Sequence, residues 1–322
     1  MKRRSSDVKA PARGGPAALM GAARAVGKGL ARRIRASLNR RRKADARGPW
    51  ELDRGGFVGR DQLIARVLST IHNNSILLTG EEGIGKTSIL RELERRLRTI
   101  DDPAYLFFPV YIDLEATPEN RLFATAGDAV IRAVGGLCPD SAGHDRAIRG
   151  PDYDHRDLAG DLRRVVRALG TTSSKMVRLV LLIDGIDEVD RYHQRTTQRL
   201  RGLFMARVAE NLVMVASGCE ISREWEREGS PWYNFFEELP LTGLCREDVE
   251  RLVNPLFGRR VKLDEGVAER ITAKTGGNPA LIHSYCRALL RRSPRHNRRH
   301  ITLADVDALG GTGEKGSVHT RP

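Results

Sequence analysis

Aromatic residues are few, 5% of 322 positions, and none precedes Trp50. The first 49 residues therefore carry no ring to stack on bases and no interfacial anchor for a bilayer. Only four cysteines occur, Cys138, Cys219, Cys245 and Cys286, and no two form a C-x-x-C pair. That spacing argues against a zinc site or a disulfide framework and for free thiols in a reducing compartment. No apolar run approaches the roughly 20 residues of a membrane span. The first turns of sequence are charged throughout and lack the apolar core of a secretory signal. The expectation is a cytoplasmic chain.

Acidic residues are also scarce at the start. Residues 1–49 hold fifteen Lys or Arg against Asp7 and Asp45, which gives them +13 of the chain's +14 and leaves +1 for everything else. The basicity thus belongs to one segment rather than to the globular body. Within it, Leu19, Ala23, Val26, Leu30, Ile34 and Leu38 recur at helical spacing, with Arg24, Lys28, Arg32 and Arg35 largely off that stripe. Gly21, Gly27 and Gly29 weaken such a helix, each by about 1 kcal/mol. Four readings stay open: a solvated disordered tail, contact with DNA or other nucleic-acid phosphates, an anionic membrane surface, or docking on an effector protein.

With 40% hydrophobic residues, the rest can build an α/β core and a smaller domain. Residues 50–240 alternate strand and helix patterns, 241–309 read as helices with short links, and 310–322 are Gly-rich and polar. Strands are expected at 75–79, 105–114, 177–183, 212–216 and 236–241. The last is the weaker fifth; the apolar runs of the others are continuous rather than alternating, as in a parallel sheet buried on both faces. Helices are expected at 86–98, 121–134, 157–169 and 192–209, which implies right-handed βα units.

Two motifs carry chemistry. Gly80-Glu81-Glu82-Gly83-Ile84-Gly85-Lys86-Thr87, followed by Ser88, fits G-x-x-x-x-G-K-[ST]. Glycines let the backbone turn tightly and aim N–H groups at phosphate oxygens, and the next helix adds its positive end. Lys86 can bridge β- and γ-phosphates, and Thr87 can place its hydroxyl on Mg²⁺. The second motif is the apolar run Leu179–Ile183 delivering Asp184, followed by Gly185, Ile186, Asp187 and Glu188. A carboxylate at a parallel strand's C-terminal end lies where ligands bind. Asp184 can hold Mg²⁺ opposite Thr87. Either Glu188 or Asp187 can polarise a water, with Glu188 preferred.

These residues resemble AAA+ and STAND-type ATPases, near bacterial relatives of the initiator clade. Phe57-Val58-Gly59-Arg60 looks like their F-V-G-R box, which implies that Phe57, Val58 and Arg60 lie beside adenine. Asp184–Glu188 looks like the extended Walker B element, and Thr275-Gly276-Gly277-Asn278-Pro279 like the G-x-P motif of a helical lid, which implies that Pro279 approaches adenine. The resemblance spans roughly residues 50–309. It implies a P-loop NTPase core with a five-stranded parallel sheet and a helical lid, using ATP and Mg²⁺ and acting as a nucleotide switch or a DNA-associated loader, or else a membrane-tethered scaffold, and able to form a homo-oligomer.

The chain departs from that pattern at its sensors. No arginine follows the fourth strand, which ends Ala216-Ser217-Gly218-Cys219, so Ser217 is left as a weaker polar sensor. Ala280 stands where initiator-type lids carry an arginine. Arg223 or Arg227 could reach a neighbouring subunit, though both read more simply as surface residues. Slow hydrolysis by the isolated chain is expected, because such a charge is worth about 10³-fold or more.

Overall fold

The computed structural model describes residues 57–134 and 150–309, except 151, 172, 206–208, 220–224, 226–227, 229, 231, 258–260 and 293–299. The basic segment 1–49, the Gly-rich end 310–322, Arg223 and Arg227 lie outside the described residues.

The elements are α1 (Asp61–Thr70), β1 (Ser75–Thr79), α2 (Lys86–Leu97), β2 (Tyr105–Asp113), α3 (Leu122–Val134), α4 (His155–Gly170), β3 (Met176–Asp184), α5 (Gln194–Met205), β4 (Leu212–Gly218) and β5 (Phe236–Pro240). They are followed by α6 (Arg246–Phe257), β6 (Lys262–Leu263), α7 (Val267–Thr275), α8 (Pro279–Arg292), β7 (His300–Ile301) and α9 (Leu303–Asp307). The five expected strands form one parallel sheet in the order β2-β3-β4-β1-β5.

Side chains alternate across the sheet. Leu77, Val110, Leu181 and Met214 face α3, α4 and α5. Ile76, Leu78, Val180, Leu182, Val213 and Val215 face α1 and α2. Most are fully buried, and each such side chain contributes about 1.5–3 kcal/mol of transfer free energy. The register aligns the strand tips: Asp113 pairs with Asp184, Asp184 with Ser217, and Thr79 with both Gly218 and Pro240. The end of β1 and the end of β3 are therefore about 10 Å apart, two inter-strand spacings, with β4 between them.

Three expectations need correction. α4 starts at His155, ahead of the expected Asp157, because Asp154 caps it. Its carboxylate accepts from the Arg156 and Asp157 amides, and Asp157 accepts from the Asp154 amide. The helix expected from Tyr192 starts at Gln194. A 3₁₀ segment, Ile186–Arg191, precedes it, entered through Gly185 at φ 73°. The region read as wholly helical also contains a parallel pair, Lys262 with His300 and Leu263 with Ile301.

That C-terminal region has its own core, built on Val249, Val253, Val267, Ile271, Ile282, Tyr285 and Val306. Trp232 is buried and stacks on Trp225 at 5.0 Å, whereas Tyr233 is exposed. Among the described residues no helix is long and apolar enough to cross a membrane.

Candidate active site

The loop after β1 is shaped by glycines. Gly83 lies at φ 76° and Gly85, the residue that caps α2, at φ 100°, a left-handed region costly for other residues. A Cβ on Gly83 would also sit 2.7 Å from Ala280 Cβ. Ile84 is buried in the α1–α2 core and anchors the loop from below. Glu81, Glu82, Thr87 and Ser88 are exposed. The opening N–H groups of α2 have no intrahelical acceptor and point toward the loop. Lys86 Nζ donates to the carbonyls of Gly80 (2.7 Å) and Glu81 (2.9 Å) and lies 3.1 Å from Cys219 Sγ. Main-chain donors, one ammonium and one exposed hydroxyl converge there, a set suited to a polyphosphate.

Asp184 ends β3 on the α2 side of the sheet. Its Oδ1 accepts from Ser217 Oγ at 2.6 Å and its Oδ2 from Tyr111 Oη at 2.8 Å. Ser217 is fully buried. Burial, reinforced by the Asp184 charge, pushes the Tyr111 phenol far up, so it remains a donor. The Arg91 guanidinium lies over the Tyr111 ring, 3.4 Å from its centroid. The two following acids diverge. Asp187 Oδ1 is 2.9 Å from where a Cβ on Gly218 would stand, so it sits against the tip of β4. Both carboxylate oxygens of Glu188 accept from Arg191 at 3.1 Å.

The C-terminal region meets this loop directly. Asn278 Nδ2 donates to the Glu82 carbonyl at 3.0 Å, and the Ala280 amide donates to the Gly83 carbonyl at 3.3 Å. Pro279 Cγ is 3.9 Å from the Cβ position of Gly85. Arg60, in the left-handed region at φ 61°, bridges the carbonyls of Ile84 (2.8 Å) and Thr242 (2.9 Å). Burial lowers its pKa, opposed by the nearby Asp248 carboxylate. Phe57 packs on the sheet-side core, while Val58 packs on the C-terminal core. The segment 57–60 is thus a strap across both units. His283, half-buried, is held below the usual imidazole range by burial and by Arg287.

This layout has a recognisable counterpart. Residues 56–215 match the family described as AAA ATPase domain. The fold and this match are consistent with an AAA+ ATPase. Among solved structures, it is similar to the Walker-type ATPase of Pyrococcus abyssi, at 16% identity and TM-score 0.54 over 74% of this chain and 69% of that one. It is also similar to the Orc1 protein of Aeropyrum pernix in complex with DNA, at 18% identity and TM-score 0.50 over 79% of this chain and 65% of that one. A third is Cdc6p of Pyrobaculum aerophilum, at 15% identity and TM-score 0.50 with the same coverages. At such identities the likeness speaks for the fold. The chain spans 65% of the length of the latter two. No curated protein sequence matches it.

Several close neighbours of the site were not singled out from sequence. Tyr111 reads there as one more aromatic residue of a strand, and Arg91 as one more helical charge. Asn278 was part of a motif without a role. Asp113, in register beside Asp184, sat at the end of an expected strand. The signal that could have found Asn278 is its place between two glycines and a proline, where a side-chain amide can cap a helix. Asn278 Oδ1 does accept from the Ala280 and Leu281 amides.

Proposed function

We propose that this chain binds ATP with Mg²⁺ between loop 80–87 and a lid formed by residues 241–309, hydrolyses it slowly, and converts the nucleotide state into lid position and assembly with a partner. The observation that carries the reading is the direct contact of lid and loop. Asn278 and Ala280 hold the carbonyls of Glu82 and Gly83. A loop that reorients its backbone around phosphate must therefore shift the lid, and differential contacts of this kind are what bias a two-state element.

In this reading the amides from Gly80 to Ser88 and the Lys86 ammonium grip the phosphates. Phe57, Val58, Arg60 and Pro279 border the base by virtue of the strap and the lid motif. Thr87 and Asp184 suit Mg²⁺ because both offer hard oxygen donors, and each Asp184 oxygen, with one hydroxyl already bound, keeps a further lone pair. The metal, when bound, offsets the negative charge on the transferring phosphoryl group. Of the two acids, the geometry favours Asp187 over Glu188 as the group that orients water. Asp187 lies against Gly218 at the β4 tip, whereas Glu188 is engaged by Arg191. Slow turnover follows from Ala280 and the Ser217-Gly218-Cys219 tip, which leave no arginine at two places where developing charge would be met.

A second reading, a DNA-associated loader, is favoured by the +13 charge of residues 1–49. One experiment separates the two. ATP turnover is measured over a range of protein concentrations, with and without duplex DNA, for the full chain and for one lacking residues 1–49. A rise with concentration alone supports the assembly switch, and a rise with DNA that is lost on truncation supports the loader. Absence of ATP binding in calorimetry rejects both.

A further inference from the structure

We propose that Tyr111 and Arg91 are positioning residues that tie the two halves of the metal site, Thr87 and Asp184, into one frame. This rests on the ATP–Mg²⁺ reading above.

The argument starts from register. β2 and β3 pair so that Tyr111 lies opposite Leu182 and Asp113 opposite Asp184. Tyr111, Leu182 and Asp184 therefore share the α2 face of the sheet. A tyrosine side chain is long enough to lean two residues along its strand, and here it places its hydroxyl on Asp184 Oδ2 at 2.8 Å. Ser217, from the strand on the other side, takes Oδ1 at 2.6 Å. The carboxylate plane is thus clamped from both flanks. A carboxylate oxygen has two lone pairs, so one on each oxygen remains for a metal-bound water.

The second link runs through α2. Arg91 is four residues after Thr87, one turn further along the same helix face. Its guanidinium rests on the Tyr111 ring. Thr87 lies in the first turn of α2, and Asp184 ends β3. Arg91 on Tyr111, and Tyr111 on Asp184, join the helix that carries Thr87 to Asp184 by a short side-chain route.

The test is a Mg²⁺ titration followed by fluorescence of an ATP analogue labelled on its ribose, with the affinity in EDTA measured in parallel. Tyr111→Phe keeps the ring and its cation contact and removes only the hydroxyl. The half-saturating Mg²⁺ concentration is expected to rise about tenfold, the loss of one charge-assisted hydrogen bond, with the EDTA affinity unchanged within about twofold. Arg91→Ala, at a solvent-exposed position, should shift the same quantity in the same direction by about threefold. Arg91→Lys should recover part of it, since a lysine keeps the charge but stacks less well. Parent-like Mg²⁺ dependence in Tyr111→Phe and Arg91→Ala, while the parent binds ATP–Mg²⁺ normally, overturns this inference alone. An equal loss of affinity in EDTA also overturns it, because the effect would then be general to the fold. A parent chain that binds no ATP–Mg²⁺ overturns it together with the reading on which it rests.

Discussion

The Lys86 ammonium lies 3.1 Å from the sulfur of Cys219. The contact exists because β4 is the immediate neighbour of β1, so the residue after the β4 tip meets the first turn of the helix that follows β1. An adduct on this exposed thiol would occupy the space that the lysine needs to reach phosphate. Alkylation of Cys219 with N-ethylmaleimide, located by mass spectrometry, should weaken ATP binding at least about tenfold. Bound ATP should slow the reaction at Cys219 but not at Cys245, which is also exposed. Cys219→Ser should be resistant. Full ATP affinity after stoichiometric modification of Cys219 would refute the prediction.

Lys86 makes its present contacts with two loop carbonyls, and phosphate oxygens would be stronger acceptors. Lys86→Ala should lower ATP affinity at least about 100-fold, the scale of two charge-assisted hydrogen bonds. Calorimetry checks this, with the melting temperature of the ligand-free chain expected to stay within a few degrees. Retention of micromolar affinity would show that the loop does not hold phosphate through this residue.

Under the proposed reading, Asp187 and Glu188 differ in role. Asp187→Asn should keep ATP affinity and lower turnover by about 10²-fold or more, the usual contribution of a positioned general base. Glu188→Gln, which removes a partner of Arg191, should lower turnover less. Turnover measured under single-cycle conditions decides. The reverse ranking would return the role to Glu188.

Two backbones cross where the C-terminal helical region joins the sheet. The Leu244 amide donates to the Gly277 carbonyl at 2.8 Å, and a Cβ on Gly243 would stand 1.9 Å from the Gly276 carbonyl oxygen. No side chain fits there without moving main chain. Gly243→Ala should destabilise the chain by about 1–3 kcal/mol, as overpacking does, or detach the lid. Urea unfolding, read with a tryptophan signal, measures the loss. A midpoint equal to that of the parent would mean that the crossing opens freely.

Local chemistry was legible in the order of residues. Continuous apolar runs marked the first four strands because strands covered on both faces need no polar side, whereas the edge strand Phe236–Pro240 carries Glu237 and Glu238. The spacing from Gly80 to Thr87 marked a turn into a helix because glycine adopts the positive φ now seen at Gly83 and Gly85 at least cost. The β6–β7 pair was not legible, since two-residue strands have no period to detect. The start of α4 was written in Asp154 and Asp157, but a capping box is a stronger boundary than the apolar pattern used to place it.

The sequence by itself determined which segments become strands and helices, and which loop can turn around an anion, because these depend on neighbours along the chain. The tertiary structure alone decided that Tyr111 and Ser217 flank Asp184, that Cys219 meets Lys86, and that Asn278 reaches Glu82. Each of those pairs joins residues far apart in sequence, and its distance is set by strand order, register and the docking of one hydrophobic core on another. No local propensity encodes those quantities, since they arise only when the whole sheet and the lid minimise their exposed apolar surface together.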